Sequence, residues 1–229
     1  FHKTPYTYQF FRYNIGSDSW TRLADFPYEV ESATGIKTGT TTAHVLGGLY
    51  IDSSGCFHSK DYFVYYNVGG NTWTIYNTLF YNTSEPYKKR SSIISFLYGD
   101  YLYAGHGISQ DEPDYASREV YTNYRTLYYS HSWVATTNIG YRPPSHENEI
   151  IAIGSKFYYI DYAGNVIEVD PSTNTYTFKT KINNYYRALA IAFNCNDKLV
   201  VGLGCANIGS NFYIYDDFFV YDPILNQLS

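Results

Sequence analysis

Side chains able to do acid–base, metal or anion chemistry are sparse in this chain of 229 residues: charged residues are 16% of it, whereas 29 residues are tyrosine. The six histidines, His2, His44, His58, His106, His131 and His146, form no local pair at metal-ligand spacing. Cys56 and His58 share one segment but bring no further ligands with them. With Cys195 and Cys205, Cys56 makes a set too small and irregular for a zinc site or a disulfide framework, so each is expected as a small buried apolar side chain. The densest ionisable run is Asp111-Glu112-Pro113-Asp114, followed by Tyr115 and Arg118, which lacks the spacing of a dedicated calcium loop. Its carboxylates would act as acid and base only beside a cation that holds a substrate. Tyr87, Arg90, His106, Tyr141, Arg142, Tyr185 and Arg187 stand in similar segments. Tyrosine offers a rigid apolar ring with a polar tip, and arginine a planar donor pair for carboxylates, which together suit sugar or protein contacts. Phosphate-cradling loops, nucleophile elbows and paired metal histidines are missing, and no cofactor or metal is expected.

The net charge of −5 and the single short basic run, Lys88-Lys89-Arg90, argue against a nucleic-acid partner. No apolar stretch is long enough to cross a bilayer, so membrane insertion is not expected. The chain has no signal peptide and no methionine, which leads to the expectation that it is a processed or excised part of a larger chain. Its tyrosine-rich, lysine-poor composition points to an extracellular or cell-surface location. Asn82-Thr83-Ser84 fits a glycosylation acceptor.

The elements that must position these residues repeat. Tyr13-Asn14-Ile15-Gly16-Ser17-Asp18-Ser19-Trp20 matches Tyr66-Asn67-Val68-Gly69-Gly70-Asn71-Thr72-Trp73. Val169 to Tyr176 and Tyr221 to Leu228 follow the same plan, with a looser copy from Thr126 to Trp133. Each opens on an apolar or aromatic residue, continues with a turn-forming patch and closes on an apolar residue, the pattern of a hairpin. The closing positions 20, 73, 133, 176 and 228 differ by 53, 60, 43 and 52, near the period of about fifty residues of a four-stranded blade. Upstream of four copies lie two further strand candidates joined by a tight turn, as in Ser91–Tyr98, Gly99-Asp100 and Tyr101–Gly105. The first strands are near-continuous apolar or small-residue runs, expected to be buried on both faces.

These residues resemble the kelch repeat, which joins an apolar strand ending in Gly-Gly to a Tyr and a Trp about seven positions apart. Gly47-Gly48 with Tyr66 and Trp73 is the fullest copy, and Gly105-His106-Gly107 and Gly202-Leu203-Gly204 are weaker ones. The resemblance implies an all-β fold, a β-propeller of four-stranded antiparallel blades. Four nearly complete blades follow two leading strands, with blades near 1–26 (partial), 31–79, 90–138, 147–180 and 187–229 of one domain. Either the ring has about five blades, or the chain is part of one with six or seven. A Cys195–Cys205 bridge is not expected, because the two cysteines should lie near opposite ends of a strand pair.

In such a blade the loop joining its second and third strands shares a face with the loops between blades. The long connections 49–61, 106–119 and 205–215 belong there, with 78–90 and 139–147. The expected ligand site is therefore Tyr87, Arg90, His106, Asp111, Asp114, Tyr115, Tyr141, Arg142, Tyr185 and Arg187, on the rim where long loops of a rigid scaffold usually bind. The leading expectation is a non-enzymatic binding module for a protein or glycan partner. The resemblance leaves open a carbohydrate-active enzyme on the same face, like the sialic acid mutarotases or copper radical oxidases among kelch-like proteins.

Overall fold

The computed structural model describes residues 8–76, 79–80, 83–84, 88–110, 117–119, 123–127, 132–135, 150–161, 164–173, 175–182, 190–208 and 210–229. Every regular element among them is a β-strand. A leading hairpin, β1 (Phe11–Asn14) and β2 (Ser19–Arg22), precedes a sheet of β3 (Thr34–Lys37), β4 (Thr42–Leu46), β7 (Phe63–Asn67) and β8 (Thr72–Ile75). The next sheet comprises β9 (Ile94–Tyr98), β10 (Tyr101–Gly105), β13 (Asn123–Leu127) and β14 (Val134–Ala135). A third is built from β15 (Ile151–Ile153), β16 (Lys156–Ile160), β17 (Asn165–Asp170) and β18 (Thr175–Lys181), and the last from β19 (Ile191–Cys195), β20 (Lys198–Gly202), β23 (Phe218–Asp222) and β24 (Gln227–Leu228). All recorded pairings are antiparallel and follow chain order within each sheet.

Between the second and third strands of three sheets the chain inserts a small hairpin rather than a loop. These are β5 (Leu49–Ile51) with β6 (Phe57–Ser59), β11 (Ile108–Gln110) with β12 (Ser117–Glu119), and β21 (Cys205–Ile208) with β22 (Asn211–Ile214). The segments expected as long loops thus carry their own backbone pairing, which satisfies polar groups that an open loop would leave to water. In the third sheet the corresponding connection is short, and the Gly164 amide donates to the Asp161 carbonyl at 2.9 Å.

The repeated octapeptide is a capped hairpin turn. Its second residue turns its side chain back onto the backbone: Asn14 Oδ1 accepts from the Gly16 and Ser17 amides, and Asn67 Oδ1 from Gly70. Asp170 Oδ1 accepts from Ser172, and Asp222 Oδ1 from Ile224 and Leu225. The sixth residue enters the left-handed region, at φ 48° for Asp18, 49° for Asn71 and 54° for Asn226, where a short polar side chain is tolerated. In these three copies the opening tyrosine's hydroxyl donates to that residue, from Tyr13 to Asp18, Tyr66 to Asn71 and Tyr221 to Asn226. First and last residues face each other across the strands as Tyr13–Trp20, Tyr66–Trp73, Val169–Tyr176 and Tyr221–Leu228.

The chain forms two compact units, one from residues 1–93 with 109–118, the other from 94–108 with 119–229. In the second unit, strand alternation gives each sheet two apolar faces. Phe157, Tyr159, Ile167, Val169 and Tyr176 of the third sheet pack on Phe96, Tyr98 and Tyr103. Its other face, with Ile153, Tyr158, Ile160 and Val166, packs on Ala192, Leu199, Val201 and Tyr221 of the last sheet. In the first unit, Phe10 and Phe26 stand edge-on to Trp73 at 5.1 and 4.9 Å. Leu46, Phe63 and Val64 form the buried centre of its sheet.

Two expectations need correction. The first strands are not buried on both faces, since β3 and β19 alternate or are largely exposed. Each is the edge strand of its sheet, flanked by one neighbour only, and the most buried strands are the interior ones such as β16 and β17. Nor are the cysteines buried: Cys195 is exposed, and Cys56 and Cys205 are half-buried. All three are free thiols, and Cys195 and Cys205 sit beyond opposite ends of β20.

Candidate functional site

The first unit brings three segments together above β3–β4–β7–β8. Gly47 and Gly48, at φ 62° and 110°, carry the chain through a gap that no side chain fits. A Cβ on Gly47 would lie 2.4 Å from the Arg90 carbonyl, and one on Gly48 2.1 Å from Val30. The glycine pair is thus the place where 28–33 and 88–93 close onto the inserted hairpin. The Gly48 amide donates to the Arg90 carbonyl at 2.8 Å, the Arg90 amide to the Lys60 carbonyl at 3.0 Å, and Lys60 to Gly48 at 2.7 Å. Glu31 and Leu49 exchange both backbone bonds at 2.9 Å.

On this frame the β5–β6 hairpin displays a cluster. Its turn is organised by Asp52, whose Oδ1 accepts from the Ser54 amide, the Ser54 hydroxyl and the Cys56 amide at 2.8, 2.7 and 2.9 Å. His58 Nε2 donates to Asp52 Oδ2 at 3.0 Å. The Ser54 hydroxyl first, then His58 and the Cys56 amide, hold the Asp52 carboxyl well below the usual carboxylate range, so it is anionic at neutral pH. That anion keeps the His58 ring oriented with its proton on Nε2. Tyr50 faces His58 across the strands, their rings stacked at 5.0 Å.

Lys60 follows two residues after His58, on the same side of the chain. Its ammonium lies 4.1 Å from the centre of the Tyr50 ring and 5.9 Å from that of Tyr62. Among the described residues no carboxylate forms an ion pair with it. The Tyr62 ring is in turn stacked on Tyr28 at 4.0 Å and 7° between planes. Burial above all, with help from neighbouring Tyr28 and Asp61, pushes the Tyr62 phenol up to about 12. The cluster is therefore a half-buried cation framed by phenol rings, beside a fixed carboxylate–imidazole pair. Such a surface binds flat apolar faces and places a positive charge for an anionic group.

Of the ten expected ligand residues, Arg90 and His106 are described; Tyr87, Asp111, Asp114, Tyr115, Tyr141, Arg142, Tyr185 and Arg187 lie outside the described residues. The Arg90 side chain is fully buried, its guanidinium 4.6 Å over the Phe80 ring, so it supports the frame from beneath. His106 belongs to the second unit, is buried, and takes a left-handed φ of 55°. Sequence reasoning overlooked Tyr50, Asp52 and Lys60 because it read 49–61 as a loop, and Tyr28 and Tyr62 because they lie outside the connections it assigned to the rim. The signal was there: Tyr50 and Asp52, then His58, Lys60 and Tyr62, alternate about Ser53-Ser54-Gly55, as side chains sharing faces of a hairpin do. Among the described residues no three His, Cys, Asp or Glu side chains are grouped to hold a metal.

Sheets of four antiparallel strands in chain order, stacked face to face, are the blades of a β-propeller, and that is the fold of this chain. A solved structure titled "Structure of YjhT" aligns with 99% of this chain and 84% of its own, with a TM-score of 0.70 and 15% sequence identity. At that identity the likeness concerns the fold. No family model matches the sequence, and no curated protein does. No helix among the described residues is long and apolar enough to cross a membrane.

Proposed function

We propose that the chain is a kelch-like binding module that engages a protein or glycan partner through the tyrosine-rich rim of its first unit. One observation carries this reading: the Lys60 ammonium, framed by Tyr50 and Tyr62, has no carboxylate partner among the described residues. A structural lysine normally finds an acid or open water, whereas this one is half-buried against rings. The reading places the module outside the cell or on its surface, where glycans and partner proteins are reached. Glycan-array and pull-down binding of the wild type and of Lys60→Ala and Tyr62→Ala test it. Loss of a captured ligand in both variants, with unchanged thermal unfolding, supports the rim; binding that ignores both substitutions refutes it. Arg90→Ala serves as the comparison for support from beneath, since it removes a buried side chain and should lower stability as well.

The Asp52–His58 pair favours a second reading, a carbohydrate-active enzyme of the mutarotase type working on the same rim. An oriented imidazole can move a proton at a sugar hydroxyl brought beside it. Anomer exchange of sialic acid followed by NMR, with His58→Gln as control, separates this from binding alone.

A further inference from the structure

The hydroxyls of Tyr8, Tyr13, Tyr66, Tyr158 and Tyr221 each donate to a side-chain oxygen, of Glu29, Asp18, Asn71, Glu168 and Asn226 in turn. The three phenols of the rim have no such outlet. Among the described residues the hydroxyls of Tyr28, Tyr50 and Tyr62 make no hydrogen bond, and the Lys60 ammonium makes none either. All four residues are half-buried, yet none of these tips is sealed from solvent. They form one group. The Lys60 ammonium lies 4.1 Å from the centre of the Tyr50 ring and 5.9 Å from that of Tyr62. Burial raises the Tyr62 phenol most, and the charges of Tyr28, Asp61, Tyr50 and Glu29 raise it further, which places all four beside it.

Three hydroxyls and an ammonium all offer donors, and an ammonium has nothing else to offer. Their common complement is an anion with several lone pairs, and a carboxylate is an acceptor of that kind. Charge balance sets its limit. Lys60 is a single cation, whereas Asp61 and Glu29 flank the Tyr62 phenol and Asp52 is anionic beside His58. One negative charge is matched by Lys60; the second charge of a phosphomonoester would meet those carboxylates with no cation left to offset it. The rings select as well. Tyr28 and Tyr62 cover each other at 4.0 Å, and Tyr50 lies against His58 at 5.0 Å. The faces turned to one another are closed to a sugar ring, while the tips are open to a group that arrives end-on. A carboxylate on a flexible aspartate or glutamate stem arrives in that way.

We propose that Tyr28, Tyr50, Tyr62 and Lys60 together receive one aspartate or glutamate side chain from an acidic segment of a partner protein. This narrows the rim reading given above and rests on it. The phenols supply hydrogen bonds to a charged acceptor, and Lys60 supplies the balancing charge. The Lys60 stem is held for this at its backbone, its amide donating to the Gly48 carbonyl and its carbonyl accepting from the Arg90 amide. Removing one phenol oxygen therefore subtracts a donor to an anion while the ring stack stays.

The test incubates the full 229-residue chain with random short peptides in which one position is fixed as Glu, Asp, Gln, Asn or phosphoserine, beside a glycan array. The wild type is expected to hold the Glu and Asp peptides about tenfold or more tightly than the Gln and Asn ones, and more tightly than phosphoserine. Lys60→Met is expected to abolish that preference. Tyr62→Phe is expected to weaken the acidic peptides about tenfold and to leave the amide peptides unchanged. Circular dichroism with thermal unfolding verifies that each variant folds, and Lys60→Gln replaces Lys60→Met if that variant does not. Peptides held through Lys60 and Tyr62 with equal affinity for Glu and Gln overturn the carboxylate while the rim reading stands. So does a preference for phosphoserine, or a glycan captured through the same residues where no peptide is. Binding that ignores both substitutions, or no binding to peptides and glycans alike, overturns the rim and the carboxylate together.

Discussion

The indole N–H of Trp73 donates to the carbonyl of Ala24 at 2.9 Å, while Asn71 Oδ1 accepts from the amide of the same Ala24 at 2.8 Å. One residue of the segment leaving the leading hairpin is thus held at both its polar groups by the turn of the next sheet. Phe26 and Phe10 close around the indole from either side of that grip. The conspicuous Trp of the repeat therefore joins consecutive sheets as well as filling space.

Removing either half of this clamp should be felt in stability. Trp73→Phe keeps a ring for Phe10 and Phe26 but leaves the half-buried Ala24 carbonyl without its donor, a loss of about 1–2 kcal/mol. Asn71→Ala removes the acceptor for two groups, the Ala24 amide and the Tyr66 hydroxyl, and puts a Cβ-bearing residue with no polar side chain at φ 49°. It should cost more, about 2–3 kcal/mol. Denaturant midpoints read at unchanged slope check both values, and a loss in Asn71→Ala no larger than that in Trp73→Phe would contradict the expected order.

A second prediction concerns the glycine pair. Its conformation recurs at His106–Gly107, φ 55° and 103°, and at Leu203–Gly204, φ 58° and 94°, so the first position is left-handed even where it is not glycine. A leucine there carries backbone strain of about 1–2 kcal/mol, partly offset by the smaller entropy it loses on folding. Leu203→Gly should therefore raise stability by up to about 1 kcal/mol, while Gly47→Leu, whose Cβ would strike Ile93 and the Arg90 carbonyl, should disrupt the first unit. Thermal unfolding of the two variants should move in opposite directions.

The same pair of positions shows what the sequence made legible and what it hid. The hairpin octapeptide is local: Asn, Asp and Gly choose the turn, strand register then sets Tyr opposite Trp, and the four-strand order follows. Gly105-His106-Gly107 looked like a decayed glycine pair because composition does not display φ; the pair is His106–Gly107, with its first member under strain. The rim cluster was hidden for another reason. Lys60 meets Tyr50 across a hairpin within 49–61, a segment whose Ser53-Ser54-Gly55 turn was readable but whose length had argued for a loop. Arg90 was expected at the rim from its place before a first strand, but its carbonyl and amide fix the chain while its guanidinium turns in over Phe80.

Acid should loosen the second unit through its turn carboxylates. Asp170 is held well below the ordinary carboxylate range by Lys156 first, then by the Ser172 hydroxyl and amide; Asp222 is lowered by the Leu225 amide and by Lys198, the latter 3.0 Å away. A carboxyl lowered in the folded state contributes stability that is fully present above its unfolded value, about 3.9, and lost as pH falls through the folded one. Unfolding free energy should hold near neutrality and decline below about pH 4. In Asp170→Asn and Asp222→Asn that decline should be shallower. An acid limb as steep as the wild type's in both variants would assign it to other carboxylates.

Alkali should act with the opposite sign on the buried phenols. Burial first, with the neighbouring Tyr28 next, raises Tyr62 to about 12; burial again, with Glu168 and Asp222 next, raises Tyr221 to about 12. A group whose folded value is raised contributes stability that is fully present below its unfolded value, about 10 for tyrosine, and lost as pH climbs through the folded one. Unfolding free energy should therefore fall between about pH 10 and 12, while phenolate absorbance appears in an early phase from exposed tyrosines and a late one that coincides with unfolding. Tyr62→Phe keeps the stack on Tyr28 and the ring beside Lys60 but removes one late phenolate, so its alkaline limb should be shallower with stability at neutral pH little changed. Because the phenol reaches about 12 through desolvation, a Tyr62 that titrated with the early phase would mean water reaches the ring stack, and the half-buried setting of Lys60 on which the rim's chemistry depends would be lost with it.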